Sequence, residues 1–312
     1  MGVIGIDIGG TLIKGGFLDA NGEVVHELAR PTPADDPPEA TLPVIVSMVR
    51  ELTDRGGATT LLGVACAGLV DPVAGVVRRS PNLPLWSGVE LRRLVGGALG
   101  MSPLVLNDAN ACAVAEARRG AARDVPSVVA LTIGTGVGGG ILIGGRLWAG
   151  RNGFAGEVGH IVIQAGGPRC SCGASGCLES LVGTEAILRS FHASGGDPAA
   201  AQEGTDRTGV TPRDVSLLAR NGNAAALHAY EEAGRFLGIG LASLTHCLDP
   251  DVFVIGGGIA RSADLLLPAA RASLVETSFY PEEMLPEIRV AAMGPSAGWI
   301  GAALAAAEQP EG

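Results

Sequence analysis

The stretch VIGIDIGGTLIKGGFLD, Val3 to Asp19, decides how this chain is read. VIGIDI is apolar and β-branched, Gly9-Gly10 makes a turn, and TLIKGGFLD continues as a second strand. Asn21-Gly22 is a hairpin signal, and EVVHEL follows as a third strand. The same order returns in SVVALTIGTGVGGGILIGGRLWAG, Ser127 to Gly150: strand, glycine turn, strand, Gly-Gly turn, strand. Ile8-Gly9-Gly10-Thr11 lines up with Ile133-Gly134-Thr135-Gly136. A repeated opening of this kind predicts two similar α/β lobes facing each other across a cleft.

Outward from these two stretches, the pattern alternates. Residues 39–55 have the spacing of an amphipathic helix, and LLGVACAG is a buried strand ending at the Gly68 loop. Ser80–Trp86, SPNLPLW, is proline-punctuated and irregular. PLVLN, Pro103 to Asn107, is a short strand, and Asp108 opens an alanine-rich helix to about Gly120. A polar stretch from Ser194 to Asp214 reads as a surface loop, residues 223–247 as a helix, DVFVIGGG as a strand, and AGWIGAALAAAEQ as a final helix. Val128 to Gly145 is uncharged, but Gly costs roughly 1 kcal/mol per helical position relative to Ala, so it reads as buried strands and turns and not as a membrane helix.

The bulk numbers agree. A chain of 312 residues suits two lobes of about 100–200 residues each. Forty-eight glycines with few aromatics mean many turns and close backbone approaches. A net charge of −10 argues against a nucleic-acid partner, whose phosphates attract Lys/Arg surfaces. The first ten residues, MGVIGIDIGG, have no basic n-region and contain Asp7, so no signal peptide and a cytoplasmic location are expected.

Three glycine motifs could hold phosphates. In DIGGT, Asp7 to Thr11, a glycine turn between strands brings backbone N–H groups close to an anion, Thr11 adds a hydroxyl, and Asp7 can hold hydrated Mg²⁺. An ordinary hairpin turn explains DIGGT alone equally well. IGTGVGGG, Ile133 to Gly140, matches G-x-G-x-x-G at Gly134, Gly136 and Gly139, but a strand follows where the dinucleotide fingerprint needs a helix. No G-x-x-x-x-G-K-[ST] phosphate loop occurs. VIGGGIA, Val254 to Ala260, lets a flat ligand such as adenosine approach the backbone, and by itself fits a packing turn better.

His160 with Cys170, Cys172 and Cys177 is the most specific local signal. One imidazole and three thiols suit a tetrahedral Zn²⁺, and C-x-C-G-x-x-G-C places glycines where a loop must fold around the metal. Three clustered cysteines would leave one unpaired in a disulfide scheme. No open coordination position is implied, so the zinc is structural. Cys66, Cys112 and Cys247 lie singly in apolar runs and read as core residues. Glu157 and Glu179 flank the metal loop, and carboxylates and imidazoles make directed hydrogen bonds to sugar hydroxyls.

DIGGT at 7–11, NDANA at 107–111, IGTGVGGG at 133–140, GEVGH at 156–160, CSCGASGCLE at 170–179 and VIGGG at 254–258 together resemble the ROK family of repressors, open reading frames and kinases. The resemblance covers nearly the whole chain. It implies an actin-like ATPase fold of two ribonuclease-H-like lobes with a central cleft. The division expected is a small N-terminal lobe over 1–118, with the helix 297–312 packing back on it, and a larger lobe over 119–296 carrying the zinc loop. It also implies ATP-dependent phosphorylation of a hexose or N-acetylhexosamine, with Mg²⁺ and structural zinc, in a homodimer.

Carried over residue by residue, the resemblance gives Asp108 as the catalytic base. Asn107, Asp108, Glu157, His160 and Glu179 would contact the sugar, with Gly68 and Asn82 in loops lining its pocket. Thr11, Thr135, Gly136, Gly257 and Gly258 would meet the nucleotide, alongside Asp7, Gly9 and Gly10 of the DIGGT turn. Many members read DIGGTK, whereas this chain has Leu12; Lys14 lies two residues on, on the same strand face, and would take over that charge. Glucose is the expected substrate, because SPNLPLW resembles the corresponding loop of bacterial glucokinases. N-acetylglucosamine, N-acetylmannosamine and fructose are the alternatives. The competing class is a sugar-sensing regulator without catalysis; no helix-turn-helix is expected ahead of the Val3 strand.

Overall fold

A computed structural model describes residues 2–197 and 209–309. The strands are β1 (Val3–Ile8), β2 (Leu12–Leu18), β3 (Val24–Pro31), β4 (Leu62–Cys66), β5 (Leu69–Asp71), β6 (Val76–Arg79), β7 (Leu104–Asn107), β8 (Val128–Ile133), β9 (Val137–Ile143), β10 (Arg146–Leu147), β11 (Val252–Gly256) and β12 (Glu287–Val290). The α-helices are α1 (Pro38–Gly56), α2 (Leu91–Leu99), α3 (Asp108–Arg119), α4 (Leu178–Val182), α5 (Thr184–Ala193), α6 (Pro212–Arg220), α7 (Ala224–Leu248), α8 (Ala263–Thr277) and α9 (Ala297–Ala307). None of the described helices is long and apolar enough to cross a membrane.

The repeated sequence has a repeated topology. One sheet runs β3-β2-β1-β4-β7 and the other β10-β9-β8-β11-β12, the same order on the two sequence copies. In the first, β1-β2 and β2-β3 are antiparallel while β1-β4 and β4-β7 are parallel. In the second, β8-β11 and β11-β12 are parallel. The chain divides into two compact units, one of Met1–Pro126, Gly140–Gly156 and Ala292–Gly312, the other of Ser127–Gly139 and Glu157–Ala291.

In the first unit the sheet is covered on both faces. Ile4, Ile6 and Ile8 of β1 pack with Ile45, Met48 and Leu52 of α1, all buried. On the other side Val3 and Leu18 meet Trp299, Ile300 and Ala303 of α9. The strand glycines explain that close approach: a Cβ on Gly5 would lie 1.9 Å from the Trp299 carbonyl oxygen, and one on Gly63 1.9 Å from that of Ala302. Helix α9 therefore sits almost on the strand backbone, at a distance that no larger residue permits.

Glu116 is a buried carboxylate, 2 % exposed, that sequence patterning passes over. It accepts backbone hydrogens from Ala121 at 2.8 Å, Ala292 at 3.1 Å and Met293 at 2.8 Å, tying the segment before α9 to α3. Glu116→Ala leaves those donors without their carboxylate. We expect it to lower unfolding free energy by about 3 kcal/mol or more, read from the midpoint of denaturant unfolding.

Three sequence expectations change here. Cys247 is exposed, because it falls on the outer side of the last turn of α7; Cys66 is buried and Cys112 half-buried. Of the polar stretch 194–214, residues 198–208 lie outside the described residues, and its end is not loop. Pro212 starts α6, where Thr211 Oγ1 accepts the Asp214 amide hydrogen and Asp214 Oδ2 accepts that of Thr211. Helices α2, α4, α5 and α8 and strands β5, β6 and β12 were not foreseen.

Candidate active site

In the first unit the topology gathers the acidic residues on one sheet edge. β1, β4 and β7 are parallel neighbours, so Asp7, Gly68 and Asp108 all stand at the carboxyl ends of their strands. Ligands bind outside that edge in open α/β sheets. Asn107, not Asp108, caps α3: its Oδ1 accepts the Asn110 amide hydrogen at 2.9 Å. Its Nδ2 donates to the Gly68 carbonyl at 2.9 Å and to Asp108 Oδ1 at 3.0 Å. Asp108 Oδ1 also accepts the Ala109 amide hydrogen at 2.9 Å. The carboxylate is thus held by two donors and is released from the capping duty that would otherwise explain an Asp at this place.

The DIGGT turn is held from outside its own sequence. Thr32 donates its hydroxyl to the Gly9 carbonyl at 2.8 Å and its amide to the Thr11 carbonyl at 2.9 Å. Gly10 lies against the Asn82 backbone, where a Cβ would be 3.1 Å from the Asn82 carbonyl oxygen. Gly68, at φ 112°, adopts a conformation that side chains rarely take, and its loop thereby presents its carbonyl to Asn107. Lys14 pairs opposite Asp7 across β1 and β2, and its Nζ donates to the Pro295 carbonyl at 2.9 Å.

Burial first, and the Asp108 carboxylate second, push Asp7 up to about 7, with Lys14 pulling the other way. The folded protein therefore binds more protons than the unfolded chain between about pH 4 and pH 7, and stability falls as pH rises through that window. Asp7→Asn should stabilise the ligand-free protein at pH 8 by up to about 4 kcal/mol and change little near pH 4. Thermal unfolding across pH checks this. An equal effect at both pH values would show that Asp7 is not held above its ordinary range.

The second unit gathers the other motifs. β8 and β11 are parallel, so the turns after Ile133 and Gly256 share one edge. Gly257, at φ 85°, lies on the Ile133 backbone, where a Cβ would be 2.3 Å from its carbonyl oxygen. Gly134 and Gly258 face open space. The Gly134 carbonyl accepts the amide and hydroxyl of Thr184, at 2.9 and 3.0 Å. Thr135 and Gly136 complete this turn, and the Glu179 carboxylate lies against Gly136.

His160, Cys170, Cys172 and Cys177 offer ligand atoms all within 4.8 Å of one another. Tetrahedral bonds of about 2.3 Å to sulfur and 2.0–2.1 Å to nitrogen set edges of about 3.8 Å between sulfurs and 3.6 Å between nitrogen and sulfur. Cys172 and Cys177 sulfurs are 3.7 Å apart, and His160 Nδ1 is 3.6 Å from the Cys170 sulfur. Burial, with the hydrogen bonds that its own S–H donates toward Cys172 and Cys170, pushes the Cys177 thiol up to about 12. Burial raises Cys170 as well, whereas the Ala174 amide lowers Cys172. Three adjacent thiolates repel one another, so they ionise together around a cation, and the donor set fits zinc. His160 turns Nδ1 to the sulfurs and Nε2 toward Glu157 Oε2, 3.9 Å away. Glu157 is raised by burial, lowered by His160 and raised by Glu179.

Sequence reasoning missed Thr32, Ser171 and Thr184. Thr32 and Thr184 are lone hydroxyls whose partners are distant in sequence, and Ser171 reaches Glu179 within the metal loop, where no spacing rule marks a serine.

A fold with two copies of one sheet order, helices packed on it and glycine turns at the strand ends is the actin-like ATPase fold. The ROK family model matches residues 3–309, and the chain belongs to the ROK family. It is 35% identical over 311 residues to a glucokinase of Streptomyces coelicolor, covering 96% of each chain. The structure of a ROK family glucokinase from Streptomyces griseus in complex with glucose and AMPPNP is 33% identical, with a TM-score of 0.85, covering 99% of this chain and 100% of that one. The chain is also 29% identical to a xylose repressor of Bacillus spizizenii, over 91% of its own length and 72% of the repressor's.

Proposed function

We propose that this chain transfers the γ-phosphoryl group of ATP to the 6-hydroxyl of D-glucose, with Asp108 as the base. The observation that supports this best is the state of Asp108: beside Asp7 at the sheet edge, with Oδ1 fixed by Asn107 and Ala109. A sugar hydroxyl is a poor nucleophile at neutral pH. As it attacks, its proton passes to the Asp108 carboxylate, the bond from γ-phosphorus to the bridging oxygen breaks, and ADP leaves. Such transfer asks the protein mainly for positioning and charge neutralisation. Asp7 holds the hydrated Mg²⁺ that accompanies ATP, with Gly9, Gly10 and Thr11 at the phosphates and Lys14 adding positive charge.

Asn107, Glu157, His160 and Glu179 hold the sugar, with Gly68 and Asn82 at the rim. Thr135, Gly136, Gly257 and Gly258 hold the nucleotide. Zinc, when bound by His160, Cys170, Cys172 and Cys177, supplies structure and no chemistry at the reacting atoms; its binding at His160 Nδ1 leaves Nε2–H to donate to a sugar hydroxyl. The enzyme works as a cytoplasmic homodimer. A regulator without catalysis is the second reading, favoured by the likeness to the xylose repressor.

A coupled assay over hexoses and N-acetylhexosamines with ATP and Mg²⁺ tests the substrate. D-Glucose should give the highest kcat/KM. An N-acetylhexosamine better by about tenfold, or about 1.4 kcal/mol of transition-state binding, overturns glucose as the substrate and leaves a kinase.

A further inference from the structure

Glu179 joins two loops whose tasks have so far been separate. Its Oε2 accepts the Val137 amide hydrogen at 3.0 Å, and Val137 opens β9 directly after the Gly134–Gly136 turn. Its Oε1 accepts the Ser171 hydroxyl at 2.7 Å, and Ser171 lies between the ligands Cys170 and Cys172. The fit at the turn is close, since a Cβ on Gly136 would be 2.6 Å from Glu179 Oε2. Thr184, at the start of the next helix, grips the same turn through the Gly134 carbonyl. A carboxylate offers about four lone-pair sites, so Glu179 can serve both loops and still accept a sugar hydroxyl.

The Cys170 sulfur is the other group near Oε1, at 3.4 Å. As a thiol it donates to the carboxylate. As a metal-bound thiolate it donates nothing and repels the oxygen. With metal bound, the Ser171 hydroxyl is therefore the group that keeps Oε1 in place.

We infer that Ser171 is a positioning residue. By fixing Glu179 it locks the nucleotide turn to the metal loop, so the affinity for nucleotide depends on a side chain that touches neither nucleotide nor metal. The inference rests on the reading of the Gly134–Gly136 turn as a nucleotide site.

The test compares zinc-loaded wild type, Ser171→Ala and Ser171→Thr. Three quantities are measured: zinc content, amide hydrogen exchange over residues 134–139, and the dissociation constant of AMPPNP with Mg²⁺. Ser171→Ala should keep about one zinc per chain, exchange several-fold faster at 134–139 and bind AMPPNP about five- to tenfold more weakly; Ser171→Thr should restore both. Unchanged exchange or an unchanged AMPPNP constant in a zinc-replete Ser171→Ala protein overturns the inference. Loss of zinc from that variant does so too, because Ser171 would then serve the metal and not Glu179. If wild type itself ignores AMPPNP, the nucleotide reading fails, and the exchange rates still decide whether the two loops are joined.

Discussion

Replacing Asp108 with Asn lowers kcat by about 10²–10⁴-fold, the usual worth of a general base, while calorimetric D-glucose affinity falls far less. The substitution keeps size and shape while removing the negative charge and with it the ability to accept a proton. Asn would serve nearly as well as Asp at a helix cap, so a capping role predicts silence in both stability and rate. The structure sharpens this contrast, because the α3 cap is already supplied by Asn107. The amide of an Asn at position 108 can still accept from Ala109, so folding is preserved. Near-native kcat in Asp108→Asn would show that the base lies elsewhere or is not needed.

Replacing Cys172 with Ala should empty the metal site. A set reduced to one imidazole and two thiols loses most of its zinc affinity, and metal should fall from about one per chain to near none after dialysis against a chelator. The loop from Cys170 to Cys177 then loses the anchor that fixes His160 and carries Ser171 to Glu179. Sugar affinity should drop by about tenfold or more, since the directed hydrogen bonds that Glu157, His160 and Glu179 make depend on a rigid frame. Full zinc in the Cys172→Ala protein, by metal analysis, would sink the assignment of the ligands.

What could be read from the residues was what is local or repeated. The strand–turn–strand opening shows twice because alternation and glycine turns are properties of short windows, and both sheets fold in the same order. The clustering of His160, Cys170, Cys172 and Cys177 was legible because their spacing is itself the signal. Helix α2 was missed because Gly96 and Gly97 depress its propensity and Glu90 makes no side-chain cap. Helix α8 carries Pro268 in its first turns, a residue that ordinarily argues for a break. Cys247 was misplaced because an apolar run at the end of a helix does not say which side faces out. The role of Glu116 arises only when Ala292 and Met293 are brought to it by packing, and no sequence window contains both partners; Ser171 and Glu179 share the segment 170–179, but nothing in its spacing says that the hydroxyl turns to the carboxylate.

Phosphorus-31 NMR of the purified protein with ATP, Mg²⁺ and D-glucose tests the central claim most directly. The account predicts that the γ-phosphate resonance of ATP decays as ADP and a phosphomonoester grow together in equal amounts, the new signal carrying the proton coupling of phosphate on the 6-carbon. No turnover by a protein that binds glucose would mark a sugar sensor, and release of inorganic phosphate alone would mark an ATPase. Either result would contradict the assignment of this chain as a glucose-phosphorylating enzyme.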